Sequence, residues 1–246
     1  MSADNVFKRV EKKYLLTTEQ YEDFRRLTAD FVTEDRFSRS SISNIYFDTP
    51  DKLLIRRSIE KPVYKEKLRL RCYEPPNDGS IAFIELKKKL GSTVYKRRAA
   101  TYYKEAYDYL VNHAEPPKAG QIMSEIDWFL NFYENIEPSM IICYERESIV
   151  CKYDSSLRIT FDSGLRWRDG DLDLRRGTQG KLLLGYDLVL MEMKLTNAMP
   201  LWLSGALDKC SIFPASYSKY AAAYRAQMSN QAINTFDSFK EEKINV

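Results

Sequence analysis

Several stretches of this chain alternate between charged and apolar residues, and this alternation favours a fold rich in β-strands. Successive side chains of a strand point to opposite faces of its sheet, so an alternating run separates its charges from its apolar residues. The clearest run has Lys67, Arg69 and Arg71 on one face and Leu68, Leu70 and Cys72 on the other. A chain of 246 residues can bury such apolar faces in a core without a disulfide or a structural metal.

The same period of two predicts strands over 6–16, 41–48, 63–74, 80–89, 93–103, 140–153, 156–162 and 185–195. Helical spacing predicts a helix that begins at Thr17 or Thr18, and further helices over 104–112, 121–136, about 200–208 and about 215–228. Strands in runs with inserted helices favour an α+β fold. We therefore expect an antiparallel β-barrel with packed helices. No linker composition interrupts the chain, so residues 1–246 are interpreted as one domain.

The charged faces of these strands carry more cations than acids. Ten cations against four acids leave an excess of 10 − 4 = 6, whereas the whole chain has 38 − 35 = +3. The cations are Arg9, Lys13, Arg69, Arg71, Lys87, Lys96, Arg98, Arg146, Arg158 and Lys194, and the acids are Glu11, Glu85, Asp162 and Glu192. Each face taken alone is also compatible with a solvated outer surface.

Like charges crowded on one sheet face repel each other. Exposure to solvent does not require such repetition, so the set as a whole favours a shared function. If the charged faces of a barrel point into a common tunnel, the tunnel is basic and predicts an anionic guest. A chain of phosphates fits, because arginine binds phosphate bidentately and lysine binds it as a point charge. One or two acids can hold Mg²⁺ or Mn²⁺ against phosphate oxygens.

Other classes of site are excluded by composition and motif. The chain has one histidine, His113, which excludes zinc sites with two histidines. It has no Gly-rich phosphate loop, and its small net charge gives no nucleic-acid footprint. Cys72, Cys143, Cys151 and Cys210 are expected to be buried free thiols. No apolar window of membrane-spanning length and no leader sequence is found, so a cytoplasmic location is expected.

Eight short motifs, in this order along the chain, resemble the VTC domain, the polyphosphate polymerase domain of the vacuolar transporter chaperone complex. They are Arg9–Tyr14, Ile45–Thr49, Leu68–Tyr73, Phe83–Lys87, Tyr144–Arg146, Leu157–Asp162, Met191–Lys194 and Ser218–Tyr220. The match covers about residues 6–228 and leaves 229–246 as a tail. The family belongs to the triphosphate tunnel metalloenzymes, so the resemblance implies a tunnel-forming antiparallel barrel.

The resemblance also implies an activity, which is transfer of the ATP γ-phosphate to a growing polyphosphate chain with Mn²⁺ or Mg²⁺. By matching position, Glu192 would hold the metal. The implied catalytic, phosphate-binding residues are Lys13, Arg69, Arg71, Lys87, Lys96, Arg146, Arg158 and Lys219. The implied substrate-binding residues are Arg9, Glu11, Arg98, Tyr144, Lys194 and Ser218. The expected partners are ATP, pyrophosphate or polyphosphate and a membrane partner protein, with no nucleic acid; the oligomeric state is left open.

Two other functions stay open on this fold. Hydrolytic members of the superfamily carry Glu-x-Glu-x-Lys on the first strand, where this chain has Arg9, Glu11 and Lys13. The replacement of one acid by a cation weighs against a tri- or polyphosphate hydrolase, since a second metal would lose a ligand. A non-catalytic protein that only binds polyphosphate or nucleotide would keep the same cations.

Overall fold

The computed structural model describes residues 10–91, 93–196 and 198–229, and these form two compact units. The first unit comprises the described residues of Met1–Ile42, Cys143–Arg166 and Leu184–Tyr217. The second comprises those of Ser43–Ile142, Trp167–Leu183 and Ser218–Val246. That the chain is one domain stays a prediction, and each unit is described by itself.

Antiparallel strands dominate both units, as expected for an α+β fold. The strands are β1 (Val10–Thr17), β2 (Val32–Asp48), β3 (Tyr64–Tyr73), β4 (Ile81–Leu90), β5 (Thr93–Tyr102), β6 (Glu137–Cys151), β7 (Arg158–Arg168), β8 (Lys181–Leu182) and β9 (Leu188–Leu195). The helices are α1 (Thr18–Thr28), α2 (Leu53–Ile59), α3 (Tyr103–Val111), α4 (Gln121–Tyr133), α5 (Leu201–Lys209) and α6 (219–229).

In the second unit, β3, β4 and β5 form two consecutive hairpins. The turn between β3 and β4 is closed by Asn77, whose side-chain oxygen accepts from Gly79 N–H at 3.0 Å and whose carbonyl accepts from Ser80 N–H at 3.1 Å. Gly91, at φ 55°, begins the turn between β4 and β5, a conformation that glycine adopts without steric cost. These turns fix the register, in which Arg69 lies opposite Glu85 and Glu85 opposite Arg98.

Alternation along these strands separates a charged face from a buried one, as the sequence predicts. Leu68, Leu70, Ile84 and Leu86 are fully buried, and Arg97 of β5 binds Glu125 of α4 at 2.9 Å on the same face. Met123, Ile126 and Phe129 of α4 are buried as well. Burial of such apolar side chains contributes about 1.5–3 kcal/mol each. The opposite face is thereby left to the charged residues.

The first unit has its own core beneath β1, β9 and β7. Tyr14, Leu16, Ile159, Phe161 and Met191 belong to one buried cluster. Helix α1 begins after Thr17, which forms a capping box with Gln20, so the predicted cap at Thr17 or Thr18 is confirmed.

The hydrogen-bonded strand order is β1-β9-β7-β6-β2 in the first unit and β6-β2-β3-β4-β5 in the second, with β8 paired to β7. Among the described residues, β1 pairs with one strand, β9, and β5 pairs with one strand, β4. The outer edge of β1 is met by an isolated bridge to Pro214 and by a hydrogen bond from Ala215 N–H to the Lys13 carbonyl at 2.7 Å. The prediction of a closed barrel is therefore wrong. Alternation predicts on which face of a sheet each side chain lies, but it does not predict whether the sheet closes on itself.

Some elements differ from the sequence-based prediction. Strand β2 begins at Val32, whereas the prediction began at residue 41. The prediction missed the first half of the strand because that half is polar and mostly exposed. Helix α2 was not predicted, and α4 ends at Tyr133, before Glu134 and Asn135 adopt positive φ angles of 43° and 50°. All four cysteines are free and buried, as predicted. Arg9 and most of the predicted tail lie outside the described residues.

None of the helices in the described part of the chain has both the length and the apolar character needed to cross a membrane.

In the second unit, Tyr220 of α6 is held by a buried carboxylate. Its hydroxyl donates to Asp48 at 2.9 Å and lies 3.0 Å from the Ser139 hydroxyl. Asp48 also accepts from the N–H groups of Leu54 and Ile55 at 2.8 and 3.0 Å, at the start of α2. Burial raises the pKa of the Asp48 carboxyl although these hydrogen bonds oppose the rise. One carboxylate thus joins α2, β2 and α6.

We expect Tyr220→Phe to lower the free energy of unfolding by about 1–3 kcal/mol, since it leaves buried Asp48 and Ser139 with one partner fewer. Urea unfolding followed by circular dichroism measures the change. Tyr153→Phe, at a side chain that is 78% exposed, is the matched control. Equal stability of the two variants would show that the Tyr220 hydroxyl contributes nothing.

Candidate functional site

The residues implied by the resemblance fall into two groups, one in each unit. The second unit holds Arg69, Arg71, Lys87, Lys96, Arg98, Ser218 and Lys219. The first unit holds Glu11, Lys13, Tyr144, Arg146, Arg158, Glu192 and Lys194, and Arg9 lies outside the described residues.

A single carboxylate, that of Glu85, organises the group of the second unit. One of its oxygens lies 2.8 Å and 2.7 Å from Nε and Nη2 of Arg69 and 3.9 Å from Nε of Arg71. The other oxygen lies 2.7 Å from Lys96 Nζ and 2.5 Å from Nη2 of Arg98. Burial by itself would raise the pKa of Glu85, but Arg69, Arg71 and Lys96 hold it well below its usual range.

Four cations around one acid leave this cluster with a charge of 4 − 1 = +3. Two further lysines add to it, because Lys67 lies opposite Lys87 and Lys87 lies opposite Lys96, a member of the cluster. Side chains at such positions have Cβ atoms about 4.5–5.5 Å apart, and like charges there destabilise a sheet. Among the described residues, Lys87 forms no ion pair and is exposed. The three lysines are therefore placed to attract an anion with several charges.

Two tyrosines that the site prediction did not include lie against these cations. Tyr46 is buried and its hydroxyl accepts from Arg69 Nη1 at 3.1 Å. The Tyr73 hydroxyl accepts from Arg98 Nη2 at 3.2 Å. Burial would raise both pKa values, but the nearby cations lower each to about 8, chiefly Arg69 and Arg71 for Tyr46, and Arg71 and Arg98 for Tyr73.

A further partner, Asn44, was also missed. Its side-chain oxygen accepts from Arg71 Nε at 2.8 Å, and its side-chain nitrogen donates to the Ile142 carbonyl at 3.0 Å. Asn44 comes just before the motif that contains Tyr46, and both lie at the end of β2. The sequence offered one signal for these residues, which is that they are polar and lie in or next to the motif at the end of β2. Their contacts with Arg69 and Arg71 depend on strand pairing, which the sequence does not show.

Ser218 and Lys219 lie at the start of α6. The Ser218 hydroxyl accepts from Lys67 Nζ at 3.2 Å and from Ala221 N–H at 3.4 Å, so it caps the helix and positions a lysine at once. Lys219 is 8% exposed, which separates it from an ordinary solvated helix lysine. The stacked rings of Tyr46 and Tyr220, with centroids 4.5 Å apart, hold the following residue of α6 against β2.

In the first unit, Glu192 and Glu11 share the ammonium group of Lys13. Lys13 Nζ lies 3.2 Å from Glu192 Oε1 and 3.6 Å from Glu11 Oε1, and it donates to the Tyr217 carbonyl at 3.0 Å. The register places Lys13 opposite Glu192 and Glu11 opposite Lys194. The first unit thus alternates acids and cations across its strands, in contrast to the lysine row of the second unit.

The two arginines of the first unit are each held by an acid. Arg146 donates to both oxygens of Asp162 at 2.6 and 2.7 Å, and its guanidinium lies 5.3 Å from the centre of the Tyr144 ring. Burial opposes the charge of Arg146, but Tyr144 and Asp162 outweigh burial and raise its pKa. Arg158 lies 2.7 Å from Asp35, an acid absent from the sequence-based charge count because the first half of β2 was not predicted.

Lys194 is partly buried between these groups. Burial lowers its pKa, Glu192 and Glu11 oppose this change, and the positive charges of Arg146 and Arg158 add to it. A bound anion would stabilise the protonated form of Lys194, since it would offset that repulsion.

A divalent cation would have to share its ligands between the protein and a substrate. The described residues contain no group of three or more His, Cys, Asp or Glu side chains suited to a metal. Glu192 and Glu11 both lie within 4 Å of one ammonium group and so form a pair of neighbouring carboxylates. Mg²⁺ and Mn²⁺ fit this set, because they bind one or two carboxylates together with phosphate oxygens.

The arrangement of the second unit suits binding of extended anions more than enclosure of a small apolar ligand. Two cavities of this unit, of about 410 and 260 Å³, are lined by other residues, among them His113 and Asn131 in one and Gln121 and Trp128 in the other. None of the predicted site residues lines either cavity.

We expect Glu85→Gln to lower the free energy of unfolding by about 3 kcal/mol, because four cations lose their shared counter-charge. Urea unfolding measures the loss, and added tripolyphosphate should restore part of it. Glu145→Gln, at an exposed residue of β6, is the control. An unchanged midpoint for Glu85→Gln would contradict the central role given to this carboxylate.

We expect the affinity for tripolyphosphate to fall between pH 7 and pH 9. Burial, together with repulsion from Arg98 and Arg69, lowers the pKa of Lys96 to about 8 despite Glu85, so Lys96 loses its charge in this range. Tyr46 and Tyr73, with pKa values of about 8, gain negative charge in the same range. Calorimetric titration should show a loss of about tenfold.

The triple variant Lys96→Arg, Tyr46→Phe, Tyr73→Phe is the control for this pH dependence, since none of its replacements titrates there. Subtracting its profile removes the titration of the ligand itself. A wild-type profile parallel to that of the triple variant would contradict the assignment.

Comparisons with known proteins come from families, curated sequences and solved structures. The family model "VTC domain" matches residues 8–228, whereas a search among curated proteins gives no match. A candidate adenylate cyclase from Bacillus halodurans has a similar structure, with TM-score 0.52, 17% identity and coverage of 85% of this chain and 93% of that one. A candidate adenylyl cyclase from Hippeastrum, described as having a dominant triphosphatase activity, is similar with TM-score 0.54, 14% identity and coverage of 89% and 96%.

At these identities the two likenesses bear on the fold alone. They support the tunnel-type, antiparallel α+β fold. The family match covers most of the chain, including all the described residues named above as site residues. The chain belongs to the VTC domain family.

Proposed function

We propose that this protein is a metal-dependent polyphosphate polymerase that transfers the γ-phosphate of ATP to the end of a polyphosphate chain. The observation that carries the proposal is the concentration of cations on one sheet face of the second unit. The lysine row Lys67–Lys87–Lys96 shares Lys96 with the cluster of four cations on Glu85, so six cations lie near one carboxylate. Membership of the VTC domain family supports the same activity.

A chain of phosphates matches this charge pattern better than a single phosphate does. Neighbouring strands lie about 4.7–4.9 Å apart, so three lysines in a cross-strand row span about 9–10 Å. A guest that meets all three must carry negative charge along that length. Arg69 and Arg98, whose guanidinium groups are fixed by Glu85, would bind phosphate oxygens through charge-assisted hydrogen bonds.

The transfer needs no nucleophile from the protein. A terminal oxygen of the acceptor chain attacks the γ-phosphorus of ATP, and one P–O bond forms as the bond from that phosphorus to the β–γ bridging oxygen breaks. ADP leaves with the bond's electron pair, and the acceptor is longer by one phosphate. Catalysis of this kind rests on positioning and neutralisation of charge, which cations supply.

Glu192, with Glu11, would hold the divalent cation, which when bound neutralises phosphate oxygens and polarises the transferred group. Lys13 contacts both carboxylates and so keeps two neighbouring acids close together before substrate arrives. Arg146, held by both oxygens of Asp162, presents a guanidinium in a fixed orientation. These groups bind and orient phosphates, and none of them is required to form a covalent bond.

Hydrolysis of triphosphate is the second candidate, because the Hippeastrum protein of similar fold is described as a triphosphatase. Water and a phosphate chain would compete as acceptors for the same phosphoryl group. The acid-poor first strand, with Glu11 and Lys13 where hydrolytic members carry two acids and a lysine, supports the polymerase.

The test is an incubation of purified protein with ATP and Mn²⁺, followed by separation of the products by size. Long phosphate chains with equimolar ADP are expected. Free phosphate without chains would support the hydrolase instead. Tight binding of tripolyphosphate without turnover would overturn both enzymes and support a binding protein.

We expect Glu192→Ala to lower turnover at least about a hundredfold while affinity for tripolyphosphate stays within about threefold, since the variant removes a metal ligand and no cation. Glu145→Ala, an exposed acid on β6, is the matched control. Normal turnover by Glu192→Ala would contradict the metal role.

Arg69→Ala is expected to have the complementary effect. The loss of a charge-assisted hydrogen bond should weaken binding of long phosphate chains by about 1.5–3 kcal/mol. Calorimetry on wild type and variant measures the difference, and unchanged affinity would place Arg69 outside the binding surface.

A further inference from the structure

The sheet face of the second unit that carries the lysine row changes character along its strands. Towards the turn between β3 and β4, the register places Arg71 opposite Phe83 and Ile81 opposite Tyr102. Tyr73 ends β3 two positions after Arg71, so it lies on the same face. We call Tyr73, Ile81, Phe83 and Tyr102 the aromatic end. The aromatic end and the cations therefore share one face of the sheet.

The aromatic end is open to solvent but held by defined contacts. Tyr73, Ile81 and Tyr102 are 39%, 52% and 53% exposed. The guanidinium group of Arg98 lies 4.4 Å from the centre of the Phe83 ring. The Tyr73 ring meets the Phe83 ring edge to face, with centroids 5.7 Å apart, and its hydroxyl accepts from Arg98 Nη2 at 3.2 Å. Arg98 and Phe83 thus fix the orientation of an exposed aromatic ring beside the cation cluster.

The spacing of the two exposed tyrosines suits a flat ring. Tyr73 ends β3 and Tyr102 ends β5, and Ile81 begins β4, the strand between them. Neighbouring strands lie about 4.7–4.9 Å apart, so the backbones at the two tyrosines are about 9–10 Å apart. A planar ring placed over Ile81 would have one tyrosine on each side. Nucleobases bind to exposed aromatic side chains of this kind by stacking.

The order of groups along this face matches the order of groups in a nucleotide. On β4, Phe83 is followed by Glu85 with its arginines and then by Lys87 of the lysine row. At the rise of a strand, Lys87 lies about 13 Å from Phe83. An extended nucleoside triphosphate spans such a distance, with its base at one end and its phosphates at the other. A ligand made of phosphates alone would have no use for the aromatic end.

We propose that the aromatic end binds the base of a nucleotide whose phosphates lie over the lysine row. This inference rests on the proposed function, since it assigns a place and a direction to the ATP donor on this face. The base lies towards the turn between β3 and β4, and the γ-phosphate lies towards the lysines. Stacking accepts every base because each has a π-face, so ADP and GDP are expected to bind with similar affinity.

Calorimetric titration of the full chain with ADP and with pyrophosphate tests the proposal. The two ligands carry the same number of phosphates and differ in the adenosine, and neither can donate a γ-phosphate. Wild type should bind ADP about tenfold more tightly than pyrophosphate, because only ADP can stack. Equal affinity for the two ligands would overturn the proposal.

Variants locate the stacking surface. Tyr73→Leu with Tyr102→Leu should weaken ADP binding about tenfold and leave pyrophosphate affinity within about threefold. Tyr73→Phe with Tyr102→Phe keeps both rings and should recover most of the lost ADP affinity, which separates stacking from loss of the hydroxyls. Tyr64→Leu with Tyr95→Leu is the matched control, since these exposed tyrosines lie on the other face of β3 and β5.

The affinity ratio and the proposed function fail in different ways. If the leucine variant keeps the wild-type ratio of ADP to pyrophosphate affinity, the nucleobase site is overturned, whatever products form from ATP. If incubation with ATP gives no phosphate chains but the ratio falls in the leucine variant alone, the polymerase is overturned and the nucleobase site is supported.

Discussion

The carboxylate of Glu85 is the interaction on which the second unit depends. Four cations from two strands, β3 and β5, converge on it, and their mutual repulsion would be unopposed if the acid were absent. Because Glu85 is buried, its attraction to these cations is weakly screened. This attraction outweighs the cost of burial and favours the ionised form of the carboxyl group. The same strands bury Leu68, Leu70 and Ile84 on their other face, so the acid lets a basic surface and an apolar core share one sheet.

The two units handle their charges differently. In the first, Arg146 has Asp162 and Arg158 has Asp35, so each guanidinium has its own acid. In the second, one acid serves four cations, among them Lys96 of the lysine row, and Lys67 of that row donates to the Ser218 hydroxyl. The first arrangement gives rigidly oriented donors, and the second gives a surface with a net positive field. Orientation of donors and neutralisation of charge are the two general requirements of phosphoryl transfer.

Much of the fold and of the site could be predicted because strand alternation is a local property. The faces of β3, β4 and β5 and the cap at Thr17 follow from neighbouring residues alone. The contacts of Tyr46, Asn44 and Asp35 could not be predicted in this way, since each depends on which strands pair and in which register. The open sheet was not predicted either, since closure also depends on strand pairing. Helix α2 was not predicted because the residue that caps its first turn, Asp48, lies outside the helix.

Asp48 and Tyr220 have a consequence for how this family can vary. The carboxylate of Asp48 is shared between the amides that begin α2 and the hydroxyl of Tyr220. Asparagine or serine could still cap α2, but neither offers Tyr220 a charged acceptor. Relatives with phenylalanine at 220 should therefore carry such a neutral residue at 48. The two positions are expected to change as a pair during evolution, although neither touches the lysine row.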